Sequence, residues 1–295
     1  MSDIELFRKK NISFKIQDLI QGDDGKTYIV GDRISAGGNA VVHECIEKLS
    51  GDSFAVKFQL EFKDRRRERF QREIDLLREF NDPHIIKFVA SGSITGIQFF
   101  TQFQGTRPIK RESGKQKDIP FVILEKASED LGNLAKFPHQ INAATYLAQF
   151  LGLANALVKV NQKALHRDIK PENILVVGDA WAISDFGLCA LNEDGRDLSG
   201  DNEKIGPALW MSPEAFNKKL GCNDAISQTS DVFQLASVFW YAACGRHPTG
   251  IVKDSDWRGP TELFPIIEKA LLHNGQERYQ TSAEFNSALE EAIIR

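Results

Sequence analysis

The 295-residue sequence is poor in the residues that staple small scaffolds together. Its four cysteines, Cys45, Cys189, Cys222 and Cys244, are scattered and form no CxxC pair. That spacing argues against a disulfide framework or a thiolate zinc site, and points to free thiols in a reducing compartment. There is no excess of positive charge. The formal net charge is −4, so nucleic acid, which favours a basic face, is not an expected partner. No stretch is long and apolar enough to span a bilayer: the most apolar run, Val232 to Cys244, is short and contains Gln234, and it reads as a buried helix. The N-terminal MSDIELFRKK is charged and lacks the apolar centre of a signal peptide. Internal repeats and low-complexity tracts are also missing. These absences predict a soluble, cytoplasmic protein.

What is present is ordinary globular material. With 42 % hydrophobic and 26 % charged residues, the chain can bury a substantial core as one large domain or as two lobes sharing a cleft. The first third reads as strands. Residues 12–20 and 27–35 flank the turn Gly22-Asp23-Asp24-Gly25, and further strand-like runs cover 40–47, 53–60, 94–103 and 120–126. One helix interrupts them at about 64–80, where Phe70, Ile74, Leu77 and Phe80 recur at helical spacing before Asn81-Asp82-Pro83. Residues 104–119, with Arg107, Lys110, Arg111, Lys115 and Lys117, read as a solvated loop.

From about residue 139 the pattern turns helical, beginning with the face Leu147, Phe150, Leu151, Ala154 and Leu157. Two short strands, 173–177 and 181–185, are joined by Gly178-Asp179. Helices follow near 230–244, 261–273 and 282–294, the last opened by the capping box Thr281-x-x-Glu284.

Within this frame lies His166-Arg167-Asp168-Ile169-Lys170-Pro171-Glu172-Asn173, followed twelve residues later by Asp185-Phe186-Gly187 at the end of a predicted strand. Taken alone, each segment is solvated turn chemistry. Together, in this order and spacing, they match the catalytic loop and DFG signature of protein kinases. Upstream, Phe54-Ala55-Val56-Lys57 lies on a strand, and Met211-Ser212-Pro213-Glu214 closes the segment that begins at Asp185. From about residue 27 onward the chain resembles the eukaryotic-type serine/threonine protein kinases.

The resemblance implies an α+β, two-lobed fold with ATP in the cleft: an N-terminal extension over 1–26, a β-rich lobe over 27–126 and a helical lobe over 127–295. Phosphoryl transfer relies on positioning and charge neutralisation. Asp168 is then the base for the acceptor hydroxyl and Lys170 steadies the γ-phosphate, while Asn173 and Asp185 offer the hard oxygens that suit Mg²⁺. Lys57 holds the α- and β-phosphates and needs a carboxylate partner. Glu73, between Phe70 and Leu77 on the inward face, is expected to supply it, in preference to Glu68.

The glycine-rich lid falls on Ile34-Ser35-Ala36-Gly37-Gly38-Asn39-Ala40, where Ser35 and Ala40 replace the usual first and third glycines. Gly37 and Gly38 still allow close approach of backbone N–H groups to phosphates. Val42, Ala55 and Leu175 are expected to enclose the adenine ring, and the backbone of Glu125 and Ala127 to hydrogen-bond it, with Ile34 part of the lid. Three residues receive structural roles: Asp231 anchors the catalytic loop, and Glu214 pairs with Arg278.

The implied partner is a protein substrate. Lys170 is the serine/threonine form, whereas Pro207 stands where tyrosine kinases carry proline, and Lys170, acting on the phosphate itself, weighs more. A pseudokinase and a small-molecule phosphotransferase of the aminoglycoside kinase type are the rival readings. Ser199 alone carries a hydroxyl between Gly187 and Met211, which marks it for self-phosphorylation.

Overall fold

Alternating burial drives the first third of the chain into strands. In the strand β2, Ile12–Gln17, residues 13, 14 and 16 are buried while 15 and 17 face solvent, and β5, Ala40–Glu47, alternates throughout. The computed structural model describes residues 3–9, 11–36, 40–104, 107–134, 143–192 and 209–294. These fall into two units, one of residues 1–80 with 87–126 and the other of residues 81–86 with 127–295.

The first unit holds β1 (Asp3–Lys9), β2, β3 (Leu19–Gln21), β4 (Thr27–Ala36), β5, β6 (Ser53–Gln59), the helix α1 (Asp64–Arg78), β7 (Phe88–Gln104) and β8 (Arg107–Glu125). Its strands form one eight-stranded sheet in the order β1-β2-β7-β8-β6-β5-β4-β3. The sheet curls until β1 lies against β4 and β5. Inside the curl sit Leu6, Phe14, Tyr28, Val56, Phe58 and Phe121, each at most 1 % exposed. The opposite face carries Val42, Ala55, Lys57 and Leu124, which cross-strand pairing aligns: Val42 with Lys57, and Ala55 with Leu124. On this face α1 packs Phe70 and Ile74 against Val122, beside Phe88 and Leu124.

One expectation changes here. Gln104 and residues 107–119 are not a solvated loop but belong to β7 and β8, paired from Phe88↔Leu124 out to Gln104↔Arg107. A register shift between Ile97 and Phe99 faces Gly114, whose φ of 67° suits glycine. The charged side chains that suggested a loop sit on strands held by long-range partners, such as β2 pairing with residues 97–100 of β7. Residues 1–26 supply three strands, two of which, β1 and β2, form a hairpin on that extended ladder.

The second unit contains β9 (Glu129–Asp130), α2 (Leu131–Leu134), α3 (Ala143–Lys163), β10 (Ala164–Leu165), β11 (Ile174–Val177), β12 (Ala180–Ile183), β13 (Ala190–Leu191), α4 (Pro213–Asn217), α5 (Gln228–Cys244), α6 (Phe264–Ala270) and α7 (Ser282–Ile294). Helix α5 is buried almost all round, through Val232, Leu235, Ala236, Val238 and Phe239. It starts in a capping box of Ser227 and Ser230 and stops at Gly245, φ 66°.

Residues 81–86 lie in the 27–126 stretch assigned to the β-rich lobe from sequence, yet pack with this second unit. Ile86 N donates to Ile183 O and Ile183 N to His84 O, each at 2.9 Å. The His84 ring sits so close to α3 that any side chain at Gly152 would collide with it.

Candidate active site

On the first unit the strand β6 presents Lys57 beside Val42 and Val122. Its Nζ lies 2.6 Å from Glu73 Oε1, with the two side chains 16 % and 3 % exposed. Glu73 occupies the buried stripe of α1, as its spacing from Phe70 and Leu77 predicts, whereas Glu68 pairs with Arg72 on the outer side at 2.9 Å. A buried ion pair gains little net stability, because desolvation offsets the attraction. Keeping one here makes sense if the lysine's charge is needed.

Ile34 is 48 % exposed, and Val42, Ala55 and Glu125 are half-buried. Glu125 is also tied locally, its carboxylate accepting from Lys87 N at 2.7 Å and its own N donating to Lys87 O at 3.1 Å. Gly37 and Gly38 lie outside the described residues, as do Ser199 and Pro207.

On the second unit, the first turns of α5 organise the catalytic-loop sequence. Asp231, 0 % exposed, accepts from His166 N at 2.8 Å, Arg167 N at 2.9 Å and Asn161 Nδ2 at 2.8 Å. One turn on, Gln234 Oε1 accepts from Ile169 N at 3.2 Å, and Gln234 Nε2 donates to Arg167 O at 3.3 Å. These bonds hold Arg167 at a φ of 67°, a conformation that costs free energy in a non-glycine residue.

Asp168 is 6 % exposed. Its Oδ2 accepts from Lys170 Nζ at 3.2 Å and from Asn173 Nδ2 at 2.8 Å, and Asn173 Nδ2 also reaches Asp168 O at 2.8 Å. Burial pushes the Asp168 carboxyl above the usual aspartate range; Lys170 counteracts this and the nearby Asp185 charge reinforces it. A raised carboxyl held beside an ammonium group is suited to accepting a proton.

His166 is fully buried and structural. Asp168 N donates to its Nδ1 at 3.3 Å, so the proton sits on Nε2, 3.2 Å from Ser184 O. Burial lowers its pKa, consistent with a neutral ring, which packs edge-on against Phe186 at 4.8 Å.

Asp185 is exposed and has a φ of 60°. Before it, Ser184 N and Oγ both donate to Asn173 O at 2.9 Å, tying the two segments together. Asn173 spends its amide nitrogen on Asp168, so its remaining side-chain donor atom is a hard oxygen. With the Asp185 carboxylate this gives a donor set that fits Mg²⁺, which completes its shell from phosphates and water. Leu175 is half-buried on β11, opposite Ala182, and Ala127, also half-buried, is the first residue of 127–295.

Away from this cluster, Glu214 and Arg278 make a two-pronged pair at 3.0 and 2.9 Å. Arg278 also donates to the carbonyls of Leu272, Thr229 and His273, and Ser230 Oγ donates to Glu214 at 2.5 Å. Burial opposes ionisation of Glu214, but the bonds from Arg278 and Ser230 outweigh it and hold the carboxyl below its usual range.

Sequence reasoning overlooked three supports: Asn161, Gln234 and Ser230. Gln234 was findable, since it falls three residues after Asp231 on one helix face. Asn161 carries no local signal, because its partner Asp231 is seventy residues away.

The profile of the family described as protein kinase domain matches residues 28–293. The probable serine/threonine-protein kinase PknB of Bifidobacterium longum is 26 % identical over 290 residues, covering 89 % of this chain and 39 % of that protein. PknH of Mycobacterium bovis, a serine/threonine-protein kinase, is 25 % identical over 298 residues, 94 % and 46 %. The DNA damage-responsive serine/threonine-protein kinase RqkA of Deinococcus radiodurans is 29 % identical over 268 residues, 89 % and 34 %. The chain thus spans less than half the length of these relatives. Among the described residues no helix is long and apolar enough to cross a membrane. With its family profile matched over nine-tenths of its length, and with the signature segments folded as described, the chain belongs to the protein kinase domain family.

Proposed function

We propose that the chain transfers the γ-phosphoryl group of ATP to serine or threonine hydroxyls of protein substrates. The observation that carries this reading is the cluster at Asp168. A buried carboxylate is held by Lys170 and Asn173 on a loop that Asp231 anchors through the backbone.

In this mechanism Asp168 Oδ accepts the proton of the acceptor hydroxyl as its oxygen attacks the γ-phosphorus and the bond from that phosphorus to the β,γ-bridging oxygen breaks, releasing ADP. Lys170, already 3.2 Å from Asp168, balances the charge of the transferring group. Lys57, oriented by Glu73, grips the α- and β-phosphates. Val42, Ala55 and Leu175 supply apolar surface for the adenine, and Ile34 with Gly37 and Gly38 covers the phosphates. The backbone of Glu125 and Ala127 reads the base edge. Asn173 and Asp185 would hold Mg²⁺, which would neutralise phosphate charge. Each role is a matter of placement, as expected for a reaction with little covalent work for the protein.

The four thiols Cys45, Cys189, Cys222 and Cys244 are free, which suits a reducing, ATP-rich compartment such as the cytoplasm. Ser199 is the position at which the enzyme would phosphorylate itself.

Incubation with γ-labelled ATP, Mg²⁺ and a mixed protein acceptor, followed by phosphoamino acid analysis, tests the reading. Phosphoserine and phosphothreonine are expected. Predominant phosphotyrosine would make Pro207 the better guide, and no transfer at all would overturn the assignment.

A further inference from the structure

The hairpin of β1 and β2 is built into the first unit, and its position relative to α1 carries a consequence for Lys57. We infer that β1 and β2 form a clamp on the start of α1 that positions Glu73 against Lys57. This rests on the reading of that ion pair as the phosphate grip.

The hairpin is fixed from two directions. Its backbone pairs with β7 from Ile12↔Phe100 to Lys15↔Ile97. Its inward side chains Leu6, Phe14 and Ile16 are at most 2 % exposed in the core of the curled sheet. Outside, Glu5 takes bonds from Ser13 at 2.6 Å and Lys110 at 2.5 Å, which ties the hairpin to β8.

From that base it reaches the four residues that link β6 to α1, Leu60 to Lys63. Arg8 Nη2 lies 2.5 Å from Glu61 Oε2, with both side chains largely buried. The Phe14 ring meets Phe62 edge-on at 5.3 Å. Phe62 is further enclosed by two cations, Lys117 from β8 at 5.5 Å and Arg67 of α1 at 5.8 Å. Arg67 in turn donates to Asp118 O at 2.7 Å. The linker is therefore held by β1, β2 and β8 at once.

Helix α1 needs such support. Its N-cap, Lys63, makes no side-chain capping bond, so the usual device for fixing a helix start is missing. Its buried apolar residues, Phe70, Ile74, Leu76 and Leu77, all lie beyond its first turn, and Phe70 and Ile74 pack against Val122. At the far end, Arg78 stacks on Phe88 at 4.7 Å and donates to Asp23 and Ser91. The helix is thus pinned at its two ends. Glu73 sits nine residues in from Asp64, about 13 Å along the axis, so a small tilt at the start shifts its carboxylate by about 1 Å. A displacement of that size can cost on the order of 10²-fold in rate. Arg8, Phe14 and Phe62 are positioning residues, acting through α1.

Deleting residues 1–17 would remove Leu6, Phe14 and Ile16 from the core, so point variants of the full chain are the proper test. Arg8→Met keeps most of the apolar stem and removes the charge, Arg8→Lys is the conservative control, and Phe62→Leu is a second, independent variant. The first readout is amide hydrogen exchange over residues 64–78. Arg8→Met and Phe62→Leu should each speed it about tenfold while β5 and β6 keep wild-type protection, with Arg8→Lys between. Unchanged exchange in α1 in a folded variant, or equal acceleration throughout the unit, would overturn the clamp.

The second readout is transfer rate in two backgrounds. Arg8→Met should lower kcat about tenfold in the wild type and leave it unchanged in Glu73→Gln, where the grip is already lost. Equal losses in both backgrounds would mean a merely structural role. If the wild type transfers nothing, the proposed function fails, and the exchange experiment still decides the clamp.

Discussion

Two of the ion pairs with a buried carboxylate among the described residues, Arg278–Glu214 and Lys57–Glu73, differ in one instructive respect. Arg278 has a side chain 0 % exposed, bound by both Glu214 oxygens and by three backbone carbonyls, and Glu214 is bonded in addition by Ser230. Lys57 faces an equally buried carboxylate in Glu73, yet keeps 16 % of its own side chain exposed. A guanidinium in a full set of acceptors is finished as a structural part. An ammonium whose side chain keeps partial access to solvent is placed to meet something else. The same contrast separates Asp231, which is 0 % exposed and accepts from backbone and Asn161 donors, from Asp168, which is 6 % exposed and accepts from the side chains of Lys170 and Asn173. On the proposed reading accessibility, more than burial of charge, divides chemistry from scaffolding.

The sharpest way to break that division is to remove one group from each side. Asp168→Asn should lower kcat by at least the 10²–10⁴-fold expected for a positioned base. Because burial raises the Asp168 pKa, its ionised form is a burden on the fold. The variant should therefore melt no lower than the wild type, as calorimetry would show. Arg278→Ala should do the reverse. It leaves Glu214 buried without its cation, a loss of about 3–5 kcal/mol in stability measured by denaturant unfolding. Turnover per folded molecule at low temperature should stay close to normal.

Much of this division was legible in the sequence, and the reason is local. Asp168, Lys170, Asn173 and Asp185 lie within eighteen residues and identify one another by spacing, and helical periodicity alone selected Glu73 over Glu68. Asp231 and the Glu214–Arg278 pair needed the family pattern, since nothing near them in the chain names their partners. What stayed hidden depends on partners remote in sequence. Residues 107–119 carry charges typical of a loop and lie in β8 because it pairs with β7 out to Gln104↔Arg107, on a ladder that also holds β2. His84 follows a helix-ending proline and joins the second unit through Ile183, nearly a hundred residues on.

A smaller effect comes from pH, and its sign differs between the two sides. The folded-state pKa of Glu214 is depressed, so its contribution to stability is fully present above the ordinary glutamate value of 4.5 and is lost as pH falls through the lowered one. Glu214→Gln should flatten the acid slope of stability in that range. Asp168 has a raised pKa and must be ionised to accept a proton. Activity should therefore fall on acidification at a pH above the ordinary aspartate value of 3.8, before the fold itself weakens. Unfolding and initial rates measured across the same pH series would show whether the two transitions separate in that order.

The most direct measurement is single-turnover phosphoryl transfer alongside thermal unfolding for Asp168→Asn and Arg278→Ala. The account predicts a crossed result: Asp168→Asn binds ATP and melts normally but transfers at least 10²-fold more slowly, while Arg278→Ala transfers near normally when folded but is markedly less stable. Near-normal transfer by a folded Asp168→Asn would contradict the placement of the chemistry at Asp168.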